Sequence, residues 1–168
     1  LGRYLRAHEV PRVYTGYPIR PTYMYVPRGG PEPVPAGARR VFGFEEGNYN
    51  GWTVEGTAFG QQPATGSVWD QGPVGPFEGN RLANSYHGGD AARGRLLSPE
   101  FLIDRPVLSY RIGGGRRVDE LRMRLVDGER VLHEDTGTGT DIMSERRVDV
   151  SEHVGTVVRL ELVDRASG

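Results

Sequence analysis

The 168-residue sequence contains no cysteine, which excludes disulfide bonds, thiolate catalysis and cysteine-ligated zinc or iron–sulfur sites. Lysine is also absent, so all 21 residues in the Lys+Arg class are arginines. No apolar run approaches the ~18 residues of a transmembrane helix, so no membrane span is predicted. The formal net charge of −1 gives the whole molecule no attraction for nucleic acid or for an anionic membrane.

Glycine and proline are abundant, with 25 and 12 residues, which disfavours a helical bundle and favours short strands joined by turns. No segment keeps a helical period over three turns, and only residues 151–154 predict a short helical turn. Apolar and polar residues instead alternate with a period of two, which is typical of antiparallel strands with one buried face. The alternating segments are 107–112, 121–125 and 157–163.

The dipeptide Asp127-Gly128 predicts a β-hairpin whose return strand runs over residues 130–134. Together with the alternating segments, this hairpin predicts an all-β fold, an antiparallel β-sandwich of about eight strands.

Residues 1–40 differ in composition from residues 41–168, and we predict an N-terminal arm followed by a β-sandwich module. The arm contains seven of the twelve prolines, five of the eight tyrosines, and seven arginines against two acidic residues. Proline at this density disfavours helix and sheet pairing, which predicts an extended or polyproline-like arm.

Tyrosine and arginine are enriched where proteins bind each other, so the arm is a candidate for partner binding. It could fold back on its own module, link the module to an upstream domain or membrane anchor, or lie on a different subunit. The candidate partner-binding residues are Tyr14, Tyr17, Tyr23 and Tyr25.

The module resembles a jelly-roll-like, galactose-binding-like β-sandwich found beside glycoside hydrolase family 32 domains of the levanase and fructosidase type, and in other secreted bacterial proteins. The resemblance rests on the order and spacing of short motifs from residue 44 to residue 168. These are FEEG at 44–47, GWTVEGTAFG at 51–60, ANSY at 83–86, GGD at 88–90, GRLLSPEF at 94–101, IGGG at 112–115, LVDG at 125–128 and LVDRASG at 162–168.

The resemblance implies a noncatalytic carbohydrate-binding or accessory module of an exported protein, placed outside the cell or in the periplasm. Modules of this kind usually continue with a further strand after the motif at 162–168, so the resemblance implies that the closing strand either lies beyond residue 168 or is supplied by another chain. It implies in addition a structural calcium ion, with Glu45 and Glu46 matching the expected ligand position.

Aromatic platforms and polar loop groups are the residue types that bind sugars. Trp69 lies in a glycine- and proline-rich stretch, which predicts a loop, and the polar segment 84–90 predicts another loop. The candidate carbohydrate ligands are Trp69, Tyr86, His87 and Asp90. The alternative for the polar segment is a turn in which Asn84 or Asp90 caps the local backbone.

No catalytic pattern stands out, and we predict that the chain is not an enzyme. The adjacent acidic pairs at 45–46, 119–120 and 134–135 point to opposite faces if they lie in strands, and most are expected to be solvated. Two functions remain open. One is the binding or accessory module, and the other is a structural subunit clamped by its arm to a larger envelope or membrane-bound complex.

Overall fold

A computed structural model describes residues 36–68 and 70–167, together with the backbone of two short strands near the N-terminus. The fold is an all-β antiparallel sandwich, as the alternation predicts. The ten strands are β1 (Arg3–Tyr4), β2 (Tyr25–Val26), β3 (Thr53–Gly56), β4 (Gly94–Leu97), β5 (Phe101–Leu102), β6 (Val107–Gly114), β7 (Leu121–Asp127), β8 (Arg130–Asp135), β9 (Thr140–Asp149) and β10 (Val157–Asp164), with a 3-10 helix at Ser151–His153.

Strands β1 and β2 pair antiparallel, with Arg3 opposite Val26 and Tyr4 opposite Tyr25. The prediction that the arm would not pair as sheet is therefore wrong at these four residues. None of the four is proline, so each keeps the N–H group that pairing requires.

The first layer of the sandwich is a sheet in the order β3-β4-β10-β7-β8. Strand β10 is its centre, because β7 pairs with one edge while β4 and then β5 pair with the other. The predicted hairpin of β7 and β8 is confirmed, and the predicted helical turn is the 3-10 helix. The second layer is the pair β6 and β9.

The core lies in two clusters between the layers. One contains Leu125 and Val158 from the first layer, and Leu108 and Val148 of the second layer pack against it. The other lies at the opposite end of β10, where Leu96 and Leu162 meet loop residues that include Ala58 and Phe59. Among the described residues the second layer has two strands, and loops rather than strands cover that end.

An aromatic group closes the loop-covered end of the core. Phe44 lies edge-on to Tyr49 with ring centroids 5.9 Å apart, and it also contacts Trp52. Phe44 has φ = 58°, a conformation that costs energy for a bulky side chain, and this ring packing holds it there. Among the described residues, no helix is long and apolar enough to cross a membrane.

Candidate functional site

A cleft of about 510 Å³ opens between the two layers, at the end of the sandwich that the loops cover. Its walls are the loop around residues 70–74, the loop 82–90, the glycine-rich end of β6 and the last residues of β10. Glycine is required in this region, since Gly114 has φ = 91° and a side chain at Gly137 would collide with the Gly114 carbonyl. The bare backbone of these glycines leaves space for the cleft.

Asn84 fixes the two loops against each other. Its side-chain amide donates to the Gly66 carbonyl at 3.2 Å and to Gln71 Oε1 at 2.7 Å, while its Oδ1 accepts from the Tyr86 N–H at 3.0 Å. Asn84 is buried, and its satisfied amide therefore holds the walls in one arrangement. The prediction that Asn84 could cap local backbone is confirmed.

Tyr86 lies half-buried in the wall of the cleft, with its hydroxyl donating to Asp70 Oδ1 at 3.4 Å. The carboxylates of Asp70, Asp90 and Asp141 all raise its pKa, Asp70 most strongly, because a phenolate there would be repelled by each of them. The aromatic ring therefore stands in a region of negative potential.

Asp164 closes the far side of the cleft at the end of β10 and is buried. Desolvation raises its pKa, an effect opposed by hydrogen bonds from the Ser85 hydroxyl and from the Ala166 N–H at 3.1 Å. Asp90 lies on the rim and is exposed. With Asp70 and Asp141, they place four carboxylates on the lining that includes the Tyr86 ring.

The predicted carbohydrate ligands do not all come together. Tyr86 and Asp90 line the cleft, whereas the described lining lacks His87, whose ring lies against Gly60. Trp69 lies outside the described residues, as do the arm residues Tyr14, Tyr17 and Tyr23 and the side chain of Tyr25. The roles predicted for Trp69 and for the arm tyrosines stay predictions.

The predicted calcium ligands lie away from the cleft. Glu45 Oε1 accepts from the N–H groups of Asn80 and Arg81 at 2.9 and 3.1 Å, and its Oε2 accepts from Asn80 Nδ2 at 3.0 Å. Glu46 is exposed, and the described residues contain no group of three acidic or histidine side chains placed to hold a metal. Glu45 thus fixes a loop, and the calcium site stays a prediction.

A second depression, of about 450 Å³, lies on the outer face of the first layer. Its charged groups form a ladder of ion pairs in which Glu161 meets both Arg95 at 2.5 Å and Arg124 at 3.5 Å. The ladder continues outward to Glu55 on one side and to Glu134 on the other. These charges satisfy each other, which makes this face a weaker candidate for ligand binding than the cleft.

The acidic residues at 134–135 point to opposite faces, as predicted for neighbours in a strand, and both are partly buried in ion pairs. Glu134 belongs to the outer ladder, while Asp135 accepts from Arg146 and from the Tyr110 hydroxyl between the layers. Sequence reasoning also missed Asp70, Asp141 and Asp164 as cleft residues. Only the motif at 162–168 contained a signal for one of them, Asp164.

No protein-family model matches the chain, and no solved structure matches it. Over 117 residues, or 70% of the chain, it is 30% identical to a protein of Aspergillus rugulosus that carries the name of a glycosyl hydrolase, ecdE. The chain spans 17% of the length of that relative.

Proposed function

We propose that the chain is a noncatalytic binding module that holds a carbohydrate in the cleft, as an accessory part of an exported protein. The observation that carries the proposal is the position of the half-buried Tyr86 ring beside the carboxylates of Asp70 and Asp90 on the lining of the cleft. An aromatic face packs against the apolar face of a sugar ring, and the polar groups bind its hydroxyls.

The similarity to a protein named as a glycosyl hydrolase supports a role connected with carbohydrate. The similar region is 17% of that relative, which supports an accessory role better than a hydrolytic one. Secretion or placement in the cell envelope is part of the proposal and rests on the resemblance at residues 44–168.

Binding to a panel of immobilised oligosaccharides tests the proposal. We expect Tyr86→Ala and Asp90→Asn each to weaken the binding that the unaltered chain shows, because each removes a cleft contact. Glu152→Gln is the matched control for Asp90→Asn, since Glu152 is an exposed acid on the 3-10 helix. Binding to no saccharide, binding unaffected by both cleft variants, or glycosidic turnover by the chain would each overturn it.

A second proposal is that the chain is a structural subunit attached through its arm to a larger complex. The tyrosine- and arginine-rich composition of the arm supports it, and at the base of the arm Arg105 Nε donates to the Gly37 carbonyl at 2.9 Å while Arg39 pairs with Asp104 at 3.2 Å. These contacts fix where residues 37–39 meet the module. Deleting residues 1–35 should abolish co-purification of a partner, and retention of that partner by the shortened chain would contradict the proposal.

A further inference from the structure

The lining of the cleft carries more negative than positive charge. Its described residues include four aspartates, Asp70, Asp90, Asp141 and Asp164, and two arginines, Arg117 and Arg122. The aspartates accept hydrogen bonds from neutral donors, such as the Tyr86 hydroxyl on Asp70 and the Gln71 amide on Asp141 at 3.4 Å. Their negative charge is therefore not cancelled by those contacts.

Both arginines form ion pairs with glutamates that are not part of the lining. Arg117 Nη1 lies 3.4 Å from Glu120 Oε2, and Arg122 Nη1 lies 3.6 Å from Glu134 Oε2. Because each guanidinium group already faces a carboxylate of its own, the arginines offset little of the charge of the four aspartates. A ligand in the cleft meets a negative field.

The half-buried Tyr86 ring adds a surface that attracts cations, since the face of an aromatic ring is electron-rich. We infer that the cleft selects saccharides that bear protonated amines, such as oligomers of glucosamine, over neutral or acidic saccharides. This inference rests on the proposed function and names the class of sugar. The ammonium group would lie against Tyr86 and near Asp70 and Asp90, while sugar hydroxyls reach the loops that contain Asn84 and Gln71.

The inference can be tested with two ligands that differ by one charge per sugar. Oligomers of glucosamine and of N-acetylglucosamine share the same ring and linkage, and acetylation removes only the ammonium charge and adds a neutral group. At about pH 5.5, where ordinary carboxyl groups are ionised, we expect calorimetry to show roughly fivefold tighter binding of the amine form, the size of one exposed cation–aromatic contact. Raising the salt concentration should reduce this preference.

The double variant Asp70→Asn, Asp90→Asn keeps polar side chains and removes two charges. It should bring the affinity for the amine form down to that for the acetylated form, while Glu152→Gln should leave both affinities unchanged. Equal binding of the two oligomers, or tighter binding of a uronic acid oligomer, would overturn the inference and leave the proposed function intact. Binding of oligolysine with no binding of any saccharide would overturn both.

Discussion

At the scale of a single residue, Tyr110 joins the two layers of the sandwich. Its hydroxyl donates to Asp135 Oδ2 at 2.9 Å and lies 2.9 Å from His133 Nε2. Because the one phenolic proton goes to Asp135, His133 Nε2 must itself donate to the Tyr110 oxygen. Burial, followed by the hydrogen bond to Asp135, raises the pKa of Tyr110, so the phenol stays protonated and the contact persists at neutral pH.

Tyr110→Phe should lower the free energy of unfolding by about 1–2 kcal/mol, because Asp135 and His133 each lose a partly buried hydrogen bond. Urea denaturation measures the change. Tyr86→Phe is the matched control, since the Tyr86 hydroxyl makes only a 3.4 Å contact with Asp70, and it should cost less than about 0.5 kcal/mol. Equal losses in the two variants would show that Tyr110 does not stabilise the packing of the layers.

Asp164 makes stability depend on pH. Since burial raises its pKa, the folded state binds a proton there more readily than the unfolded state does. Its contribution to the free energy of unfolding is therefore greatest below the unfolded pKa of about 4 and falls as the pH rises through the folded pKa. Asp164→Asn should therefore lower the free energy of unfolding less, or raise it more, at neutral pH than at about pH 4. Urea denaturation at both pH values checks this, and a difference independent of pH would contradict it.

At the scale of an element, β8 contains an irregularity that redirects its side chains. Leu125 of β7 pairs with His133, but the next residue, Val126, pairs with Val131, so Leu132 is an extra residue in β8. Such a bulge changes which face each neighbouring side chain occupies. It lets Leu132 pack on the core while His133 and Asp135 reach Tyr110.

The outer ladder of ion pairs predicts that Glu161 stabilises the sheet more than Glu55 does. Glu161 on the central strand β10 has a side chain only 11% exposed and bridges Arg95 and Arg124, whereas Glu55 on the edge strand β3 is 54% exposed. Glu161→Gln should lower the free energy of unfolding by about 1–3 kcal/mol, because it leaves two guanidinium groups without their shared carboxylate.

Glu55→Gln, at the exposed end of the same ladder, should change stability by less than about 0.5 kcal/mol. Thermal unfolding followed by circular dichroism distinguishes the two variants. Equal free energies of unfolding for the Glu161 and Glu55 variants would contradict the prediction for Glu161.

At the scale of the whole molecule, β10 links the two core clusters. Leu162 packs on the loop-covered cluster, while Val158 and Leu160 belong to the cluster between the layers. Strands β4 and β7, which flank β10, carry the fully buried Leu96 and Leu125 into these two clusters. The shared strand predicts that the clusters unfold as one unit.

Leu96→Ala and Leu125→Ala should each lower the free energy of unfolding by about 2–5 kcal/mol, because each leaves a cavity in a fully buried site. Calorimetry should show one transition for each variant, shifted to a lower temperature. If only part of the structure melted early in either variant, the two clusters would be separate cooperative units.

The sequence by itself determined the class of fold and four of the strands, β6, β7, β8 and β10, but not β9 or the shorter strands β3, β4 and β5. Period-two alternation in β6, β7 and β10, and the Asp127-Gly128 turn between β7 and β8, depend only on neighbouring residues, so they can be read without the structure. The tertiary structure decided the cleft. Asp164 ends β10 in the first layer, Asp141 lies on β9 in the second layer, and Asp70 lies in a loop whose Gln71 amide contacts Asp141, so they meet only where the two layers and this loop come together. Local patterns carry no information about such non-local pairing, nor about the bulge that turns Asp135 towards Tyr110.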